Sequence, residues 1–230
     1  MPPLIGILPC LDERGRWKPG RTYQYVDVAY AAALAEAGAV PVHLALGAAP
    51  EALVSRLDGL LVPGGDDFRP PRPYPASVRF EPVPAAQIEA DHGVLAAALA
   101  RGLPVLGICY GMQLLALAHG GSLHYHLETD LPGAQTHHFE DPDARHAIRV
   151  APGTRLAACL GPGTASVNSR HHQAVAETGS LRVCATAEDS VIEAVEAPER
   201  SFCLGVQWHP ESLESAHRAR LFESFVTACC

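Results

Sequence analysis

Apolar positions in the first half of the chain come in two alternating kinds, short continuous runs of strand length and longer stretches with helical density. Leu4 to Pro9 (LIGILP) is the first strand-like run. Tyr23 to Ala37 is an alanine-rich helical stretch ended by Gly38, Val40 to Leu46 a second strand, Pro50 to Leu57 a short helix, and Gly59 to Val62 a third strand running into PGGDD. After a Pro-rich loop come a helix over Ala85 to Arg101, a branched-rich strand over Pro104 to Ile108 and a buried-helix pattern over Met112 to Ala118, closed by Gly120 and Gly121. Strands alternating with helices predict a parallel sheet covered on both faces, with ligands beyond the carboxyl ends of its strands.

Beyond Gly121 the pattern changes to short strands at Ser122 to Tyr125, His146 to Val150, Ala165 to Asn168, Leu181 to Ala185, Val191 to Glu196 and Cys203 to His209. An amphipathic helix over Leu213 to Cys229 follows. There is no internal repeat and no linker that separates two units, so residues 1–230 are expected to form one domain. Segment 66–84 (DDFRPPRPYPASVRFEPVP) holds six prolines and no periodic apolar pattern. It reads either as a rim over a site or as an irregular surface excursion.

Composition narrows the function classes. With a net charge of −8 and scattered Lys and Arg there is no electrostatic footprint for a phosphate backbone, so nucleic acid is not an expected partner. No apolar run reaches 18 residues and the first ten (MPPLIGILPC) lack the regions of a secretory signal, so a membrane is not expected either and a cytoplasmic location is. The seven cysteines include no C-x-x-C pair, which fits neither a disulfide framework nor a zinc ribbon.

One cysteine stands apart. In PVLGICYGMQLLALAHGG, residues 104–121, Cys109 lies where the strand gives way to the helix. A backbone that reverses within about one residue pushes the side chain at the joint up and out, and small neighbours two positions away let strand and helix approach. Gly107 and Gly111 meet that demand, and the positive end of the following helix favours thiolate, the nucleophilic form. Cys109 is therefore a candidate nucleophile, with a small buried hydrophobe at an ordinary turn as the competing reading. The PGG turn at Pro63 to Gly65 also follows a strand end and is expected on the same rim, its backbone N–H groups near the thiol.

A thiol nucleophile needs a base, and the base an orienting group. Twelve histidines make a histidine as such uninformative, but in GVQWHPE His209 ends a strand-like run and Pro210 extends the residue before it. Residues two apart in an extended stretch share a side, which sets Glu211 beside His209. The carboxylate can then hold one ring nitrogen and leave the other to take the thiol proton. A surface turn with a solvated His and Glu is the competing reading.

Taken together, GICYGMQ and, 100 residues on, WHPE resemble the class I glutamine amidotransferase domains. Within that superfamily PLIGI, LVPGGDD, GGSLHYHL, VNSRHHQAV at Val167 to Val175 and VIEAVEAPERSFCLGVQWHPE are similar to the peptidase C26 group of stand-alone γ-glutamyl hydrolases. The resemblance implies an α/β, flavodoxin-like three-layer sandwich whose mostly parallel sheet gains short antiparallel strands in the C-terminal half. It also implies a cysteine hydrolase that cleaves the γ-glutamyl amide bond of small compounds through a glutamyl thioester. By position, Cys109 would be the nucleophile, His209 general base then acid, and Glu211 its orienter. The backbone N–H groups of Gly65 and Tyr110 would form the oxyanion hole. Gly64, Gln113, Asn168, Ser169 and His171, in a stretch running to Gln173, would hold the glutamyl end. The implied partner is the small γ-glutamyl substrate, with a homodimer left open, and the chemistry requires no metal or organic cofactor.

Two departures from the resemblance bear on the leaving group. Residues 87–92 (QIEADH) stand where an Arg-Asp pair with a downstream acid is usual, and Tyr110 stands where Arg is frequent. His124 with His126, and the pairs His137–His138 and His171–His172, hint at metal, but no third and fourth ligand has a recognisable spacing, so no metal site is expected. Among Arg69, Arg72 and Arg79 one could pair with a substrate carboxylate. Two rival functions stay open: a glutaminase subunit passing ammonia to a synthase, and a non-catalytic regulatory member of the fold.

Overall fold

A computed structural model describes residues 1–214 and 216–230 of the chain. Among them nine strands form one sheet, in the order β4 (Val40–His43), β1 (Leu4–Ile7), β5 (Gly59–Val62), β6 (Val105–Ile108), β13 (Cys203–Val206), β12 (Ile192–Glu196), β11 (Arg182–Ala187), β8 (His146–Val150) and β9 (Gly163–Val167). The first five run parallel and the last four are added antiparallel. Two small ribbons flank it: β2 (Cys10–Asp12) with β3 (Tyr23–Tyr25), and β7 (Ser122–His124) with β10 (Ala174–Glu177).

The central strands bury both faces, and their side chains alternate between two cores. Ile5, Ile7, Leu61, Leu106, Ile108 and Val206 pack against α1 (Val28–Glu36) and α7 (Ala216–Ala228), together with α6 (Arg155–Leu160). Leu60, Val62 and Val105 face the other way, onto α3 (Ala85–Ala100) and α4 (Tyr110–Ala118), with Val54 at the end of α2 (Pro50–Val54). The outcome is the expected three-layer α/β arrangement, with burial on both faces explaining why these strands read as unbroken apolar runs.

The largest revision falls on the predicted Tyr23–Ala37 helix. Its first three residues are the strand β3, and the helix begins only at Val28, because Asp27 caps it: the carboxylate accepts from Ala29 N at 2.9 Å. The alternation in YQY, two half-buried tyrosines around an exposed Gln24, is the strand signal that alanine density downstream obscured. The predicted Cys203–His209 strand stops at Val206, and Leu213–Cys229 becomes α7 from Ala216; Ser215, inside that range, lies outside the described residues. The expected helix over Met112–Ala118 starts two residues earlier, directly after Cys109. α6, β2, β10 and α5 (Leu127–Asp130) carry too little periodicity to be read from sequence.

Candidate active site

β6 runs into α4 through a single residue, Cys109, held at φ +52° and ψ −106°. Among the described residues Ser190 is the other non-glycine with positive φ. Such a conformation costs about 1–3 kcal/mol and persists where its surroundings fix it. Here they do: Cys109 N donates to Val206 O on β13 at 2.8 Å, and Cys109 O accepts from Gln113 N at 3.1 Å. The flanking glycines are steric necessities. A Cβ on Gly107 would stand 2.6 Å from Gly111 O, and one on Gly111 would collide with the carbonyl of Val62 on β5.

The segment after β13 delivers the partners. Gln207, fully buried, donates from Nε2 to Cys109 Sγ at 3.4 Å. The His209 imidazole feels the charge of the same sulfur, and its Nδ1 lies 2.6 Å from Glu211 Oε1. Asn168 clamps the backbone of His209 from both sides, Asn168 Nδ2 donating to His209 O and His209 N to Asn168 Oδ1, each at 2.9 Å. Tyr30 of α1 completes the group: its hydroxyl accepts from Gly64 N at 3.0 Å and stands 3.5 Å from His209 Nδ1. A Cβ on Gly64 would come within 2.6 Å of the imidazole, so only glycine fits beneath it.

Electrostatics favour the protonated imidazole. Burial alone would lower the His209 pKa, but the Cys109 sulfur, by charge and hydrogen bond, and then Glu211 outweigh it and push it up to about 10. Burial, followed by the Glu211 charge, raises the Tyr30 phenol well above its ordinary value, so it stays a neutral hydroxyl. Elsewhere burial pushes Cys10 up to about 12 and Cys203 up to about 11, which keeps these thiols inert.

Cys109 opens onto a cavity of about 310 Å³. Gly65 and Tyr110 border it, and because Tyr110 opens α4 its amide has no acceptor within the helix. Gln113 and His171 also face it. Segment 66–84 is a rim: Asp66, Asp67, Arg79 and Glu81 line the cavity from that side. Its inner end is pinned by reciprocal bonds of Gln173, which accepts from Phe68 N at 2.8 Å and donates to Phe68 O at 3.0 Å, while the Phe68 ring stacks on Tyr110 at 4.8 Å. Of the loop arginines, Arg79 reaches the cavity and Arg72 is tied to Asp130 at 2.5 Å.

Other expected substrate residues are committed to the framework. Asn168 holds the His209 backbone, Ser169 donates its hydroxyl to His137 O at 2.5 Å, and Gly64 underlies the imidazole. The unusual QIEADH stretch also has a structural use: Asp91 accepts from Tyr110 Oη at 2.9 Å and from Gln87 Nε2 at 3.2 Å. Burial outweighs these bonds and raises the Asp91 carboxyl to about 7. Sequence reasoning missed Gln207 and Tyr30. Gln207 was legible, standing two residues before His209 in an extended stretch, whereas nothing local marks Tyr30 among the alanines of α1.

The Peptidase C26 family model matches residues 3–211. The γ-glutamyl-γ-aminobutyrate hydrolase PuuD of Escherichia coli K12 is 36% identical over 99% of this chain and 93% of its own. Rv2859c of Mycobacterium tuberculosis, named as a candidate glutamine amidotransferase, is 38% identical over 98% of this chain and 74% of its own. The solved structure of a candidate GMP synthase component from Thermoplasma acidophilum covers this whole chain and 94% of its own with a TM-score of 0.68 at 17% identity, a likeness of fold. The fold is thus the flavodoxin-like one of the glutamine amidotransferases, and the chain belongs to the peptidase C26 family.

Proposed function

We propose that this protein hydrolyses the γ-glutamyl amide bond of small γ-glutamyl compounds, with Cys109 as nucleophile. The observation that carries the reading is the positive-φ elbow that brings Cys109 near His209 and Glu211 on the wall of a cavity of about 310 Å³. The similarity to a named γ-glutamyl-γ-aminobutyrate hydrolase supports the choice of bond.

The Cys109 thiolate, supported by the Gln207 amide, attacks the γ-carbonyl carbon and the carbonyl electrons move onto oxygen. The N–H groups of Gly65 and Tyr110, residues that line the cavity, would receive that oxyanion, and each such donor is worth about 3–4 kcal/mol of barrier. Collapse breaks the C–N bond, and the His209 imidazolium gives its proton to the departing amine. The neutral imidazole, held by Glu211, then takes a proton from water, which attacks the thioester and releases glutamate and the thiol. Gln113 and Arg79, both on the cavity, are the groups available for the amino-acid end of the substrate.

The test is amine release from a panel of γ-glutamyl amides, glutamine and γ-glutamyl-γ-aminobutyrate included, by the isolated chain. Rapid hydrolysis of γ-glutamyl amines without a partner supports the proposal. Ammonia release from glutamine only with an added synthase favours the glutaminase reading, and no turnover of any amide favours a non-catalytic member.

A further inference from the structure

Behind the cavity wall lies a second cluster that the mechanism does not use. His137, from the loop after α5, His146 at the start of β8 and Glu193 on β12 bring ligand-type atoms within 4.8 Å of one another. His171 joins them from the loop before β10. Glu193 Oε1 is the centre: His137 Nδ1 is 3.2 Å away, His171 Nε2 3.6 Å and His146 Nε2 3.7 Å. Glu193 is fully buried, and His137 and His171 are each 4% exposed.

None of these contacts is aligned as a hydrogen bond. The three inward ring nitrogens and both Glu193 oxygens are buried with no hydrogen-bond partner among the described residues. The reason lies on the far side of the rings. His137 Nε2 is 3.0 Å from Asp189 Oδ2, and His171 Nδ1 is 3.0 Å from Gln173 O. Each outer nitrogen faces an acceptor and carries the proton there, so in the neutral rings the inner nitrogens present lone pairs. The inner nitrogens of His137 and His171 thus each lie beside Glu193 Oε1, with His146 alongside. Burial makes that repulsive unless a cation sits among them.

The spacing around Glu193 Oε1 fits such a cation. Ligands about 2.0–2.1 Å from a tetrahedral zinc ion stand ~3.4 Å from one another, close to the 3.2, 3.6 and 3.7 Å separations from that oxygen, and the His137, His146 and Glu193 atoms lie within 4.8 Å of one another. The outward Asp189 carboxylate and Gln173 carbonyl are the orienting partners that metal-bound histidines have. We propose that His137, His146, His171 and Glu193 form a buried zinc site that fastens the Ser169–Gln173 wall of the substrate cavity to the antiparallel half of the sheet. Three imidazoles and one carboxylate close the coordination, so the ion is structural. Its ligands come from four separate places in the chain, one from each of two histidine pairs, which is why no ligand spacing marks it in the sequence.

The full chain, purified without chelator, is the sample. Elemental mass spectrometry should find about one zinc per chain, and its X-ray absorption edge should report nitrogen and oxygen neighbours without sulfur. Removing zinc should lower Tm, and ZnCl2 should restore it. His146→Ala, at the more accessible edge, should lose the ion, Asp189→Asn should weaken zinc affinity roughly 10–100-fold, and Cys109→Ala should keep it. The proposal is overturned if the protein carries no zinc and ZnCl2 leaves its Tm unchanged, since the cluster is then a protonated-histidine cage. A sulfur neighbour, or unchanged affinity in both His146→Ala and Asp189→Asn, overturns it too. The wild-type spectrum decides even where a variant fails to fold.

Discussion

The molecule holds two buried histidine–carboxylate clusters on opposite sides of one cavity wall, and they are wired differently. Around His209 each side chain has at least one partner: Glu211 Oε1 holds the imidazole while its Oε2 has none among the described residues, Tyr30, Asn168 and Gln207 are hydrogen-bonded, and Cys109 lines the cavity. Around Glu193 the His137 and His171 rings are fixed from outside, and the inner atoms have no hydrogen-bond partner among the described residues. On the readings proposed above, the first arrangement moves a proton and the second holds an ion. Histidine beside carboxylate is thus no functional signature in itself; what the second ring nitrogen meets decides the role.

The largest effect that would sharpen this contrast is removal of the sulfur. Cys109→Ala should lower kcat by roughly 10⁴–10⁶-fold in a steady-state assay of amine release while leaving Tm near wild type. Substantial residual activity would place the chemistry elsewhere. Glu211→Gln should follow at roughly 10²–10⁴-fold in kcat, because the imidazole loses its orienting charge while its neighbours stay.

Packing at the elbow comes next. Gly111→Ala forces a methyl group against the Val62 carbonyl and should cost about 3 kcal/mol in denaturant unfolding. A smaller effect is expected from Tyr30→Phe, which removes the hydroxyl shared by Gly64 N and His209; kcat should fall roughly tenfold at most.

The pH response separates the clusters as well. The His209 value is raised in the folded protein, so its charge favours the native state fully below the ordinary 6.5 and this contribution fades as pH climbs through about 10. kcat/KM should therefore fall on the alkaline side as the imidazolium is lost, and Glu211→Gln should move that limb to lower pH. An alkaline limb unmoved in Glu211→Gln would show that the carboxylate does not hold the charge.

Legibility in the sequence tracked how local each cause is. The elbow and its two glycines, and the His209–Glu211 pair, lie within seven and three residues, so alternation and steric demand exposed them. The parallel half of the sheet was equally plain, since strands buried on both faces leave unbroken apolar runs. β3 was lost because three residues of alternation cannot compete with a long alanine run. Tyr30, Asn168 and the Glu193 cluster depend on contacts across 179, 41 and tens of residues, which topology sets and spacing does not record.

The most direct test of Cys109 as nucleophile is acid quench of the enzyme during turnover of a slow γ-glutamyl anilide, followed by peptide mass spectrometry. A glutamyl group in hydroxylamine-sensitive linkage on the peptide carrying Cys109 is the predicted result. Full turnover with that peptide unmodified, or undiminished turnover by Cys109→Ala, would contradict it.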